Sequence, residues 1–177
     1  HWNDILSRRP QNVLITFGSI VKSAKMKIEY KRTIVKAISN FPDVTFIWKY
    51  ENLTDSFVVN ETTKVPNAVL DTWIPQNDLL ADSRVVGVVS HAGMASTQEI
   101  SARGVPDQQP NAGDPTFQSN VVVYVGSLIV PLYADQHKNA AMLENLGMAV
   151  VFEKSDIGNV DKLVAHLSKL LNTKKYR

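Results

Sequence analysis

Apolar residues come in two kinds of run along this chain, and the alternation between them predicts its elements. Asn12-Val-Leu-Ile-Thr-Phe-Gly18 is apolar almost throughout and ends in Gly-Ser, which predicts a buried strand running into a tight loop. Over residues 27–40 the apolar positions Ile28, Ile34, Val35 and Ile38 recur instead at helical spacing, with lysines between them. Phe41-Pro42-Asp43 breaks that helix, and residues 44–50, β-branched and aromatic, predict a second strand. Residues 51–67 are polar and irregular and read as a surface loop. Val69 and Leu70 begin a brief strand leading to Trp73-Ile-Pro-Gln76, with a short helix at 78–81. A buried strand at 85–89 follows, and a helix over 94–103 starts directly after His91-Ala-Gly93. Strands at 128–132 and 149–152, and helices at 135–146 and 160–171, complete the pattern.

Strands that are apolar along their whole length, alternating with amphipathic helices, describe a parallel sheet covered on both faces. The expected fold class is α/β, a doubly wound parallel sheet.

Composition narrows the function. With 44% hydrophobic and 20% charged residues the 177-residue chain can bury a core of its own. A net charge of +2 gives no reason to expect a nucleic-acid partner. There is no cysteine, so disulfides, thiolate metal sites and a cysteine nucleophile are excluded together. His1, His91, His137 and His166 show no ligand spacing, so no metal is expected. The apolar stretch 121–134 is broken by Gly126, Ser127 and Pro131 and does not suit a membrane-spanning helix. The chain starts at His1 with no charged-then-apolar leader and stops soon after a helical pattern, so it reads as a fragment.

In doubly wound sheets ligands bind at the carboxyl ends of the strands. Four polar clusters fall there: Gly18-Ser19, Trp73 to Gln76, Ser90 to Gly93, and Tyr133 to Gln136. Small residues at 92, 93 and 95 would let a phosphate approach the N–H groups of a helix start, with His91 and Ser96 as added donors. Glu99 would offer its carboxylate to sugar hydroxyls. The plainer reading is that Ser90 caps the helix while His91 packs or faces solvent. Trp73 is either a core residue or a flat face for a base, with Gln76 reading ribose or base edges. Asp135 and Gln136 either contact sugar hydroxyls or mark a helix N-terminus capped by Asp135.

Taken in order, Phe17-Gly18-Ser19, Phe41-Pro42-Asp43 through Trp48, Trp73-Ile-Pro-Gln76, His91 through Glu99, and Pro131 through Gln136 resemble the UDP-glycosyltransferase family. The likeness is greatest to animal UDP-glucuronosyltransferases of nematode type. It covers most of the chain and matches the C-terminal, Rossmann-like donor-binding half of a GT-B enzyme, spanning residues 1–177. The resemblance implies that Ser19 lies near the diphosphate, Trp73 stacks on uracil and Gln76 contacts the nucleoside. It implies further that His91, beside Gly93, and Ser96 bind the diphosphate, that Glu99 takes the ribose hydroxyls, and that Asp135 and Gln136 hold the transferred sugar.

Three departures qualify that transfer. The usual His-Gly-Gly is His91-Ala92-Gly93, an extra methyl that is tolerable where residue 92 has ordinary φ and costly where it must have φ > 0. A position often Asn or Gly is Ala95. A block of roughly 20 residues, 107–126, interrupts the junction between Pro106 and Ser127, a long insertion by loop-length priors. It is either a surface loop with an added strand or a retained intron.

The implied activity is inverting transfer of a glucuronosyl or glucosyl group from UDP-glucuronate or UDP-glucose to a small lipophilic acceptor, without a cofactor. The family's general-base His and its Asp belong to the N-terminal domain, so no catalytic residue is expected in this chain, only donor binding. The implied location is the luminal side of the endoplasmic reticulum, with the full-length protein membrane-anchored. Two sequons, Asn52-Leu-Thr54 and Asn60-Glu-Thr62, fit that placement. The alternatives are a catalytically inert nucleotide-sugar-binding module and a dinucleotide-dependent oxidoreductase. Against the latter, no Gly-x-Gly-x-x-Gly follows the first strand.

Overall fold

The computed structural model describes residues 1–104 and 126–172. A short helix α1 (Trp2–Leu6) leads into β1 (Gln11–Ile15), α2 (Ile28–Ile38) and β2 (Val44–Lys49). Then come α3 (Ser56–Asn60), β3 (Ala68–Asp71), α4 (Gln76–Leu80), β4 (Val85–Ser90) and α5 (Met94–Gly104). The described chain closes with β5 (Gly126–Ile129), α6 (Gln136–Asn145), β6 (Ala149–Val151) and α7 (Val160–Asn172).

The six strands among the described residues all pair in parallel, in the order β3-β2-β1-β4-β5-β6. The order reverses between β1 and β4, and that switch point opens a crevice at the carboxyl ends of those two strands. Alternation along the strands sends Val13, Ile15, Phe46, Trp48 and Leu128 to one face, under α2, α3 and α7. Leu14, Ile47, Val88 and Ile129 go to the other, under α1, α4, α5 and α6. Both faces are therefore dry, which is what continuous apolar strands require.

Two segments differ from the sequence expectation for identifiable reasons. The supposed loop 51–67 contains α3, because Asp55 accepts the Phe57 N–H at 2.8 Å as an N-cap and Phe57 is buried against Trp48 and Tyr50. A single aromatic anchor in a polar run gives no period to read. The expected strand 128–132 begins at Gly126 and ends at Ile129. Gly126, the last residue of the proposed insertion, pairs with Gly87 in the sheet. Pro131, which has no N–H, cannot extend the ladder. The rest of the proposed insertion, 107–125, lies outside the described residues. So do residues 105 and 106, which precede it.

Lys31, one of the lysines between the apolar positions of α2, is not solvated. It is buried, and its Nζ donates to Tyr50 Oη at 2.7 Å, Ala24 O at 2.9 Å and Asp55 Oδ2 at 3.1 Å. Tyr50 in turn donates to Asp55 at 2.6 Å. Burial first, then Asp55, raises the Tyr50 phenol above its ordinary range, while the Tyr50 hydrogen bond foremost lowers the Asp55 carboxyl. The network ties α2, β2 and α3 into one block, and every member depends on the others. Replacing Lys31 by Met should cost about 1–3 kcal/mol in urea unfolding, since it removes the cation from the half-buried Asp55 carboxylate and the Tyr50 hydroxyl. Arg32→Met, which breaks the exposed pair with Glu61, should move the midpoint far less.

Candidate functional site

A cavity of about 680 Å³ opens at the switch point, within the size range of small-molecule sites. The loop after β1 supplies Thr16, Gly18, Ser19 and Ile20, and β2 ends in it with Lys49. Trp73 to Asp78 form a second wall, and His91, Gly93, Met94, Ala95, Ser96 and Glu99 a third. Ile20, Trp73 and Met94 are exposed apolar side chains, and all of them line this cavity. Such surface left uncovered beside polar groups is the mark of a binding site.

Of the residues singled out from the sequence, Ser19, Trp73, Gln76, His91, Gly93, Ser96 and Glu99 converge here. Trp73 is 70% exposed, so it is not a core residue. Its N–H is held by Asp71 Oδ1 at 3.1 Å, at the end of β3. Gln76 opens α4 and donates from Nε2 to Glu99 Oε2 in a short hydrogen bond, linking two walls of the cavity. Ser96 is buried in the first turn of α5, where the helix leaves its first N–H groups without intrahelical partners.

His91 is buried at the carboxyl end of β4. Its ring fits a slot between two glycines. A Cβ added to Gly18 would lie 2.7 Å from His91 Cε1, and one added to Gly93 would lie 2.5 Å from Nε2. Both glycines are thus needed for space, and Gly18 also for its φ of 80°. Burial lowers the His91 pKa below the usual imidazole value, and Asp135 opposes that shift without cancelling it. The ring is accordingly neutral at pH 7, able to donate one hydrogen bond but carrying no charge. Ser90 does not cap α5: its hydroxyl is buried without a hydrogen-bond partner among the described residues.

Asp135 and Gln136 do not line the cavity. Gln136 is buried, and its Oε1 accepts the N–H groups of Leu132 at 2.8 Å and Tyr133 at 3.2 Å, so its acceptor is already used. Asp135 makes no side-chain cap to α6, contrary to the plainer sequence reading, and is exposed on the His91 side of the loop. Asn139 joins the two loops, donating from Nδ2 to Ala92 O at 3.0 Å and to Asp135 Oδ2 at 3.4 Å.

Thr16, Ile20, Lys49, Asn77, Asp78 and Met94 complete the lining and were not anticipated. Lys49 did carry a signal, since a lone charge at the carboxyl end of a buried strand is where doubly wound folds bind. Among the described residues no group of His, Asp or Glu is arranged to hold a metal ion. No described helix is long and apolar enough to cross a membrane.

Ala92 has φ 58° and Ala134 φ 54°, the two non-glycine residues with positive φ among those described, in the loops after β4 and β5. The left-handed region costs an L-residue about 1–2 kcal/mol, so the departure from His-Gly-Gly falls where a methyl group is strained. The buried methyl returns about 0.8 kcal/mol, and a glycine would add unfolded-state entropy worth about 0.4–1 kcal/mol. Ala92→Gly should therefore fall within about 1 kcal/mol of neutral in urea unfolding. Ala140→Gly, at a buried position inside α6, should cost about 2 kcal/mol.

The chain is similar to known proteins over nearly all of its length. The family model described as "UDP-glucoronosyl and UDP-glucosyl transferase" matches residues 11–177. A Caenorhabditis elegans protein named "Putative UDP-glucuronosyltransferase ugt-56" is 32% identical over 163 residues, 92% of this chain and 27% of that protein. Bos taurus UDP-glucuronosyltransferase 3A1 is 28% identical over 165 residues, 93% of this chain and 27% of its own length. The chain thus spans about a quarter of the length of the curated relatives it matches. Among solved structures, Os79 from O. sativa in complex with UDP superposes with a TM-score of 0.74 at 18% identity, covering 99% of this chain and 35% of that one. Arabidopsis thaliana UGT89C1 complexed with UDP gives 0.70 at 22% identity, covering 98% and 38%. The fold is the Rossmann-like parallel sheet of a GT-B glycosyltransferase domain.

Proposed function

The chain belongs to the UDP-glucuronosyl and UDP-glucosyl transferase family, and from that premise we propose that the cavity between β1 and β4 binds the UDP moiety of a UDP-sugar. The observation that carries this reading is the convergence of an exposed aromatic face, a Gln–Glu pair and a helix N-terminus around one crevice. Trp73 offers its ring to uracil, Gln76 and Glu99 face the ribose, and the start of α5 with Ser19, Gly93, Ser96 and neutral His91 takes the diphosphate. Backbone N–H groups and the helix dipole stabilise an anion without a fixed cation. The named partner of two solved structures that share this fold, UDP, supports the assignment.

The reaction is inverting transfer of a glucuronosyl or glucosyl group to a small lipophilic acceptor. The acceptor oxygen attacks the anomeric carbon, the bond to the β-phosphate oxygen breaks, and UDP leaves. His91 and the α5 N–H groups stabilise the charge that develops on the leaving phosphate. The base that deprotonates the acceptor belongs to the family's N-terminal domain, so residues 1–177, as the donor-binding domain, bind donor without turnover. Asp135 lies on the His91 side of the cleft and, with Gln136, is assigned to the sugar. Gln136 would act through the Leu132–Tyr133 backbone that it holds.

Within the family we assign the chain to the animal enzymes of nematode type, a reading that its 32% identity to the Caenorhabditis elegans relative supports. The full-length protein is assigned to the endoplasmic reticulum membrane, with this domain in the lumen. Its two sequons differ in presentation. Asn52 is exposed and its Oδ1 accepts from Thr54 Oγ1 at 2.8 Å, whereas Thr62 of the second is buried and donates to Val58 O at 2.8 Å.

Calorimetric titration of the chain with UDP, with ADP as control, tests the assignment. UDP should bind in preference to ADP, and His91→Ala should weaken it by about tenfold or more, the value of a hydrogen bond to a charged group. A folded chain that binds neither nucleotide, or both alike, would contradict it.

A further inference from the structure

Lys49 is the last residue of β2 and the sole Lys or Arg among the described residues lining the cavity. Its Nζ sits 5.3 Å from the centroid of the Trp73 ring and donates to Gly18 O at 3.3 Å. Those two contacts join two walls of the cavity. Trp73 belongs to the wall assigned to the base, and Gly18 to the loop assigned to the diphosphate.

Each contact removes a specific freedom. Trp73 is 70% exposed, and among the described residues no other aromatic ring packs on it, so its backbone is fixed by Asp71 while its ring orientation is not. A cation over one face restrains the ring and leaves the opposite face for stacking. At the other end, Gly18 has a left-handed φ of 80°, a conformation with many neighbours open to glycine. Across the planar trans peptide the Gly18 carbonyl and the Ser19 N–H point in opposite directions, so holding the carbonyl also fixes the N–H. An ammonium group engaged with a ring and a carbonyl has spent much of its reach before any ligand arrives.

We propose that Lys49 is a positioning residue that clamps the Trp73 platform to the Gly18 loop and so sets the distance between the base and diphosphate subsites. This rests on the UDP reading above. It differs from a direct salt bridge to phosphate in a measurable way. A clamp serves the nucleoside as much as the diphosphate, whereas a phosphate ligand serves only the latter and is screened by salt.

The test compares uridine and UDP binding, by ligand-observed NMR at low and high salt, to the chain and to Lys49→Met, Lys49→Gln and Lys49→Arg. Both Met and Gln variants should lose about three- to tenfold in affinity, the range of a cation–π contact, for uridine and UDP alike. Arg, which also stacks on aromatic faces, should keep most of it. Acrylamide quenching of tryptophan fluorescence in the unliganded chain should rise in the Met and Gln variants as the Trp73 ring is released. Unchanged affinity for both ligands would overturn the proposal. So would a loss confined to UDP and abolished by salt. Wild-type chain that binds neither ligand would remove the UDP site and this role together; wild-type that binds both beside an unaffected Lys49→Met would remove this role alone.

Discussion

The buried imidazole of His91, wedged at the point where the strand order reverses, sets the terms for everything around it. A ring in that slot admits no side chain at Gly18 or Gly93, because either Cβ would press into it. The next residue, Ala92, takes a left-handed backbone that alanine adopts only under strain. That strain is held by tertiary contacts: Ala92 is fully buried and its carbonyl is gripped by Asn139 from α6. The sheet supplies the rigidity, since both neighbouring strands are covered on both faces. The loop geometry at the crevice is therefore imposed by the core, and the site inherits its precision from there.

The electrostatics of the crevice follow from the same burial. A charged imidazolium in that slot would be poorly solvated, so the ring stays neutral, and in the proposed UDP site the diphosphate would be held by N–H dipoles. Lys49 supplies positive charge beside the Gly18 loop, while Asp78 and Glu99 keep the rim from being strongly cationic. A site of this kind favours a ligand whose charge is buried in hydrogen bonds over one attracted by field alone. That suits a chain with a net charge of only +2.

Much of this was legible in the sequence, and the gaps have physical causes. The parallel sheet could be read because doubly covered strands are apolar at every position, as in residues 85–89, while α2 and α7 carry a helical period. Trp73, Gln76, His91, Ser96 and Glu99 could be grouped because each follows a strand end, and strand ends share one edge. What periodicity does not carry are features fixed by tertiary contact. Lys31 reads as a solvated lysine, and only the fold brings Tyr50 and Asp55 to its ammonium. α3 hangs on one buried aromatic. Asp135 and Gln136 follow a strand end as the others do, yet Gln136 folds back on its own loop, and periodicity carries no information about that. Ala92 shows the reverse case: the sequence marks the substitution, but only the backbone angle tells which of its two consequences holds.

The most direct test of the account is where UDP touches the chain. In a ¹⁵N-edited NMR titration of the labelled chain, the amides of Gly18, Ser19, Gly93 and Ser96 and the indole N–H of Trp73 should shift together on one binding curve. That would locate base and diphosphate at two walls of the crevice between β1 and β4. Shifts confined to another surface, such as the groove lined by Lys22, Tyr30 and Lys154, with the crevice amides unmoved, would contradict it.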